Sequence, residues 1–268
     1  MITEEEFQRL VHYIKSEAGI DLTQKRVLVT TRLENYIANS EYENLGEYLN
    51  QAISNKAGKE NENLINILTT NHTFFWREQQ HFEFLLHEVL PEIKKKCQNT
   101  KDIRTWCAAS SSGEEPYTLA MIMMEFFGIE YNEWDTTILA TDISTKVLGI
   151  ANKGIYAADA IKPLPESWQR KYFKAEGEIV HVKEELKMGV LFSRLNLVDQ
   201  YPFRKKLNIV FCRNVLIYFD DELKNQIINK IVDNLEIGGY LFIGTTESVG
   251  RNNKRLEYVV PSVYRRIM

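Results

Sequence analysis

The chain has 268 residues, 44% hydrophobic and 26% charged, an ordinary globular balance with room for one large domain or two smaller ones. Its net charge of -4 argues against a general nucleic-acid binder, which needs a basic surface. The start, Met1-Ile2-Thr3-Glu4-Glu5-Glu6, lacks the positive charge and apolar run of a secretory signal, and no stretch approaches the roughly 18 apolar residues of a membrane span. Cys97, Cys107 and Cys212 are odd in number and widely spaced, matching neither a disulfide framework nor a zinc site. They read as small buried apolar residues of a protein in a reducing cytosol.

The first part reads as helical. Thr3 and Glu6 form a capping box, followed by Phe7, Leu10, Val11 and Ile14 at helical spacing and by Gly19 as a stop. A second helix is expected over 23–38, carrying Lys25, Arg26 and Arg32. Leu45, Tyr48, Leu49 and Ile53 mark a third, and Leu64, Ile65 and Leu68 a fourth, with residues 58–63 as a polar joint. A long helix over 82–96 then leads through the polar stretch 98–102 into a different pattern.

From there short apolar runs alternate with helices. Strands are expected over 103–109, 136–141 and 208–212, and over 240–244 after a turn at Gly238-Gly239. Helices are expected over 116–127, 144–152 and 221–235. This alternation indicates a mostly parallel sheet covered on both faces, a Rossmann-like α/β fold. Residues 155–195 break the pattern. Ile179-Val180-His181-Val182 and Lys187-Met188-Gly189-Val190-Leu191-Phe192 read as short antiparallel strands of a β insertion at the sheet's edge. The expected division is a small all-helical N-terminal domain, 1–78, before an α/β domain, 79–268.

In an open parallel sheet, ligands bind at the carboxyl ends of the strands. The first such loop here is Ala109-Ser110-Ser111-Ser112-Gly113-Glu114-Glu115. It lacks the Gly-x-Gly-x-x-Gly pattern for a pyrophosphate and the Gly-Lys-Ser/Thr of a P-loop. Its two carboxylates would repel a phosphate and attract a cation. S-adenosylmethionine carries an ammonium and a sulfonium and no phosphate. The competing reading is that the glutamates complement the helix dipole, which for Glu114 alone is the better one. Asp142 closes the second strand, where an acid takes ribose hydroxyls or caps the next helix; beside this loop the ribose role is favoured. Phe211-Cys212-Arg213-Asn214 puts a charged residue at the end of an apolar strand. An Asp/Asn-Pro-Pro-Tyr/Phe signature is absent there, which argues against methylation of adenine or of a side-chain amide.

Four segments together resemble the chemotaxis receptor methyltransferases, the CheR family. They are Thr70-Asn71-His72-Thr73-Phe74-Phe75-Trp76-Arg77-Glu78, Gly113-Glu114-Glu115-Pro116-Tyr117, Ala140-Thr141-Asp142-Ile143, and Phe211-Cys212-Arg213-Asn214-Val215-Leu216-Ile217-Tyr218-Phe219-Asp220. The resemblance runs from about residue 4 to residue 266. It implies methyl transfer from S-adenosyl-L-methionine to glutamate side chains of chemoreceptors, with S-adenosyl-L-homocysteine as product and no metal. It implies cofactor contacts from Asn71, Thr73, Arg77, Glu115 (on the ammonium), Asp142 (on the ribose), Asn196, Leu197, Arg213 and Asn214. Arg77 and Tyr218 would face the transferred methyl. The helical domain and the β insertion would both touch the receptor's cytoplasmic helical region, and the protein is expected to act as a cytoplasmic monomer. The family's second helix is often strongly basic; here Lys25, Arg26 and Arg32 stand among six acids within the first 35 residues.

The chemistry agrees with the absence of any His/Asp or Cys/His constellation. A glutamate carboxylate, with a pKa of about 4.3, is already a nucleophile at neutral pH and needs no general base. His72 reads as a polar loop residue. Two rivals are disfavoured: a nicotinamide-dependent oxidoreductase on the same fold, by the missing glycines and the paired glutamates, and a non-catalytic adaptor that uses its helical domain to bind a signalling partner, by the intact Arg77, Glu115, Asp142 and Tyr218.

Overall fold

A computed structural model describes residues 2–250 and 253–268; the expectations for Met1 lie outside them. Four helices come first: α1 (Glu4–Ala18), α2 (Arg26–Ile37), α3 (Leu45–Ser54) and α4 (Lys59–Leu68). The capping box at α1 forms, with Thr3 Oγ1 accepting from the Glu6 amide and Glu6 accepting from the Thr3 amide. Gly19 ends α1 in the left-handed conformation, φ 72°. Phe7, Leu10, Val11 and Ile14 are buried with Val29, Leu33, Tyr48, Leu49, Leu64 and Leu68 in one core. Each such side chain contributes about 1.5–3 kcal/mol by leaving water. Two boundaries shift from expectation. The second helix begins only at Arg26, because Thr23 donates from both amide and hydroxyl to Asp21 in a turn. The polar residues 59–63 belong to α4, with its apolar positions facing the same core.

α5 (Gln79–Phe84) and α6 (Leu90–Lys96) are continuous through a π turn over Leu85–Val89. After them come β1 (Thr105–Ala108), α7 (Glu114–Phe127), β2 (Ile138–Asp142), α8 (Thr145–Lys153), β3 (Ile155–Ala157), α9 (Glu166–Tyr172), β4 (Phe173–Glu176), β5 (Ile179–Val182), α10 (Glu184–Lys187), β6 (Val190–Arg194), β7 (Leu207–Cys212), α11 (Asp221–Asn234), β8 (Leu235–Ile243), β9 (Leu256–Val260) and β10 (Val263–Arg266). The main sheet has the order β6-β2-β1-β7-β8-β10-β9. The first five strands are parallel, while β10 runs antiparallel to both β8 and β9. β1 and β7 are buried at every position, as central parallel strands must be. One face packs α5, the π turn, α6 and α7, and the other packs α11.

The β insertion is a separate antiparallel sheet, β3-β5-β4. Residues 187–192 do not belong to it: Val190–Arg194 is the edge strand of the main sheet, parallel to β2. A five-residue run holds no information about partner direction; pairing with Ile138–Asp142 decides it. The expected turn at Gly238-Gly239 is also replaced. Both glycines lie inside β8, at a register shift opposite residues 207–209. A Cβ on Gly239 would stand 2.9 Å from the Asn208 carbonyl, so the close backbone approach needs glycine there.

Two glycines give opposite expectations. Gly113 has φ 99°, and a Cβ there would lie 2.9 Å from both Ala151 Cβ and the Tyr156 hydroxyl. Gly149, exposed in α8, has nothing within 4 Å. Gly113→Ala should lose about 1–3 kcal/mol in urea denaturation. Gly149→Ala should gain about 0.5–1 kcal/mol.

Candidate functional site

Strand order reverses at β1, with β2 on one side and β7 on the other. The carboxyl ends of these strands open into a cavity of about 530 Å³, of the size that takes a small organic ligand. It is lined by Ala109, Ser110 and Ser111 after β1, by Asp142 ending β2, by Leu195–Leu197 after β6 and by residues 213–215 and 217–219 after β7. Its other wall comes from the helical unit and the 69–77 connection, including Ile20, Asp21, Lys25, Leu28, Arg32, Asn71, Thr73 and Arg77. All ten residues singled out in the sequence, Asn71, Thr73, Arg77, Glu115, Asp142, Asn196, Leu197, Arg213, Asn214 and Tyr218, line this one cavity.

The β1 loop winds tightly through left-handed residues at Ala109 (φ 59°), Ser111 (φ 50°) and Gly113 (φ 99°). Asp142 fixes it: Oδ2 accepts from the Ser111 amide and Oδ1 from the Ser144 amide, both at 2.9 Å. Burial raises the Asp142 pKa against the opposing pull of these hydrogen bonds. The cap of α8 is supplied by Ser144, whose hydroxyl accepts from Val147, so Asp142 is not the helix cap. Ser111 Oγ reaches the Asn71 carbonyl at 3.1 Å, tying the loop to the connection above it. Ser110 Oγ is buried at the cavity with no hydrogen-bond partner among the described residues.

The two glutamates separate. Glu115 lines the cavity, accepting from Cys107 Sγ at 3.1 Å and from Arg213. Glu114 is buried away from it, accepting from Ser112 Oγ at 2.8 Å, and burial raises its pKa. It sits in the first turn of α7, where the sequence reading as a dipole-complementing residue puts it, but buried.

Arg213 is buried, its guanidinium 5.2 Å from the Phe82 ring. It pairs with Glu115 and with Glu78 (3.1 Å) and donates to the Arg77 carbonyl at 2.5 Å. Asn214 has φ 57° and donates from Nδ2 to Glu78 Oε1 at 3.1 Å. Asn196 Nδ2 donates to the Glu17 carbonyl at 2.7 Å, joining the loop after β6 to the end of α1. Arg77 is half-buried between left-handed Trp76 (φ 65°) and Glu78 (φ 58°). Its Nη1 donates to the His72 carbonyl at 2.7 Å, and its guanidinium lies 5.7 Å from the Phe74 ring. Tyr218 ends a 3-10 turn, and its carbonyl accepts from the Asp21 amide at 3.1 Å.

Several working residues escape sequence reading. Glu78 closes a quoted motif, yet nothing local shows that it meets Arg213 135 positions later. Glu247 accepts from the amides of Gly244 (2.7 Å), Asn214 (2.9 Å) and Ile217 (3.2 Å), holding the 214–218 loop. The basic residues of α2 are also not a free basic face. Arg26 pairs with Glu4, and Arg32 donates to the carbonyls of Ile67, Leu68 and Thr69, closing the open end of α4. Lys25 lines the cavity instead.

A Rossmann-like sheet with Glu115 and Asp142 at the cavity where strand order reverses fits the class of S-adenosylmethionine-dependent methyltransferases. Comparison with known proteins agrees. Residues 71–264 match the family described as CheR methyltransferase, SAM binding domain, and residues 5–69 match CheR methyltransferase, all-alpha domain. A chemotaxis protein methyltransferase of Borreliella burgdorferi is 40% identical over 99% of this chain and 95% of its own. Those of Pseudomonas aeruginosa (chemotaxis protein methyltransferase 1) and Escherichia coli are 38% and 35% identical, over 91% and 98% of this chain and 90% and 91% of theirs. The chain belongs to the CheR methyltransferase family. Among the described residues no helix is long and apolar enough to cross a membrane.

Glu247→Ala would strand three backbone donors. It should cost about 2–4 kcal/mol in denaturation and speed amide exchange over 214–218. Unchanged exchange there would show that the loop holds itself.

Proposed function

We propose that this protein methylates glutamate side-chain carboxylates of chemoreceptors, forming glutamate methyl esters in the cytoplasm. The observation that carries the reading is the cavity in which Glu115, Asp142, Arg77 and Tyr218 converge between the sheet and the helical unit. The names of the relatives, chemotaxis protein methyltransferases, support the chemoreceptor as substrate.

The cavity suits S-adenosylmethionine. Its volume admits a nucleoside joined to an amino acid, a buried Ser110 hydroxyl stands unpartnered, and two carboxylates border it without a phosphate-binding turn. When bound, S-adenosylmethionine supplies a methyl group on a positively charged sulfur. Glu115 holds the ammonium group and Asp142 the ribose. Asn71 and Thr73 cover the ligand from the connection, while Asn196, Leu197 and Asn214 form the opposite wall. Arg213 acts from behind Glu115.

The substrate carboxylate arrives ionised, so the protein need not remove a proton. S-adenosylmethionine held there would supply its methyl carbon to a carboxylate oxygen and keep its sulfur as the leaving group. The products are a neutral ester and a neutral thioether. An anion and a cation neutralise each other, so the protein contributes chiefly by in-line positioning. Arg77, at the cavity with Nη1 on the His72 carbonyl and its guanidinium near the Phe74 ring, holds the incoming carboxylate. Tyr218 donates a hydrogen bond beside it. Residues 1–78 and 79–268 act as two units sharing this seam, and the helical unit and the β3-β5-β4 sheet face the receptor's helical region.

The test is methyl transfer from labelled S-adenosylmethionine to receptor-containing membranes, with label released by mild alkali as an ester requires. Arg77→Ala should lose at least about 100-fold in turnover, and near-normal labelling would remove Arg77 from its role. Asp142→Ala should weaken S-adenosylhomocysteine binding about tenfold or more in calorimetry. An unchanged dissociation constant would contradict the ribose assignment.

A further inference from the structure

Two carboxylates and a guanidinium meet at the cavity floor: Glu78, Arg213 and Glu115. Arg213 sits between the two carboxylates, Nη2 on Glu78 Oε2 at 3.1 Å and Nη1 on Glu115 Oε2. Its side chain is 1% exposed, so water screens little of this cluster. Arg213 and Glu115 line the cavity, whereas Glu78 stands behind them.

The charge balance of this cluster decides what the cavity attracts. Arg213 and Glu115 alone would make a neutral pair, and a neutral pair has little pull on a cationic ligand. Glu78 changes the sum: one guanidinium between two carboxylates leaves one negative charge over. Asp21, Lys25, Arg32, Arg77 and Asp142 also line the cavity, but among the described residues none has its charged group on this cluster, and the titratable groups that touch it are neutral. His81, 3.4 Å from Glu78, is buried, and its pKa is pushed down to about 4 by burial and by Arg213, so it is neutral at pH 7. Cys107 is a fully buried thiol whose pKa burial pushes up, so it meets Glu115 as a neutral donor. Asp142, Glu114 and Glu247 engage the loop amides or Ser112. Glu78 is also fixed in place: Asn214 Nδ2 and Thr245 Oγ1 donate to Oε1 at 3.1 Å, and the Thr245 amide to Oε2 at 3.2 Å. Burial opposes its ionisation, but Asn214 and Arg213 outweigh burial and keep its pKa below the usual carboxylate range.

We propose that Glu78 is a positioning residue that sets the charge of the cofactor site: by pairing with Arg213 it leaves Glu115 the unbalanced negative charge that holds the ligand's ammonium group. This rests on the assignment of Glu115 made under the proposed function.

The experiment compares two probes by calorimetry: S-adenosylhomocysteine and its analogue lacking the α-amino group. Their ratio of dissociation constants measures the pull on the ammonium and cancels general damage to the site. In Glu78→Gln the preference for the amino compound should fall about tenfold, as expected for loss of one poorly screened charge. In Glu78→Asp, which keeps the carboxylate charge, most of the preference should remain. A preference unchanged in Glu78→Gln, or lost equally in Glu78→Gln and Glu78→Asp, overturns the proposal. Should Glu78→Gln fail to fold, Glu78→Ala decides by the same ratio. If the unaltered protein binds both probes equally, the Glu115 assignment itself fails, and if it binds neither, the cofactor reading fails.

Discussion

The site depends on one buried cation. Arg213 leaves β7 and joins three pieces of chain that are far apart in sequence: the connection at Arg77 and Glu78, the start of α7 at Glu115, and its own loop. Burying a guanidinium costs several kcal/mol unless hydrogen bonds and opposite charge replace the lost water. Here two carboxylates and a carbonyl do so, and the aromatic ring of Phe82 lies against it. Its Nε remains without a partner, so even this arrangement is not complete. Arg213 thereby ties the β7 loop to the connection. The residues proposed to face the methyl group, Arg77 and Tyr218, sit on those two segments.

The same coupling explains why the helical unit belongs to the site. Asn196 reaches the Glu17 carbonyl, the Asp21 amide reaches the Tyr218 carbonyl, and Lys15 pairs with Asp220 at 3.0 Å. At the far side Asn66 bonds Thr145 at 3.2 Å and Ser144 at 2.8 Å. None of these is a strong contact alone, since exposed pairs are worth about 0–1 kcal/mol. Together they seat the α1–α2 turn over the ends of the strands, where Ile20 and Leu28 add apolar wall to the cavity. A ligand in this seam would contact both units, so its binding would further stabilise their arrangement.

What could be read in advance was what local chemistry decides. The capping box at Thr3 and Glu6, the stop at Gly19 and the small-residue loop after β1 are each determined within a few residues. The apolar strands β1 and β7 announce themselves because both their faces are buried. What escaped depends on distant partners. Residues 187–192 read as part of the insertion until pairing with β2 places Val190–Arg194 in the main sheet. Gly238 and Gly239 look like a turn because only the Asn208 carbonyl reveals why a strand needs them. The final hairpin, β9 and β10, gave no signal, since it is an edge element of mixed exposure. Arg32 reads as a surface charge but serves the end of α4. For the site, the motifs located the residues and separated Glu114 from Glu115, while the existence of the Glu78–Arg213 pair required the third dimension.

The most direct measurement of the account is a crystal structure with S-adenosylhomocysteine bound. The account predicts the ligand in the seam, its ammonium on Glu115, its ribose on Asp142, and Asn71 and Thr73 covering it, with Arg213 still between Glu78 and Glu115. A ligand whose amino-acid end points away from Glu115, or one lying outside the seam, would contradict it.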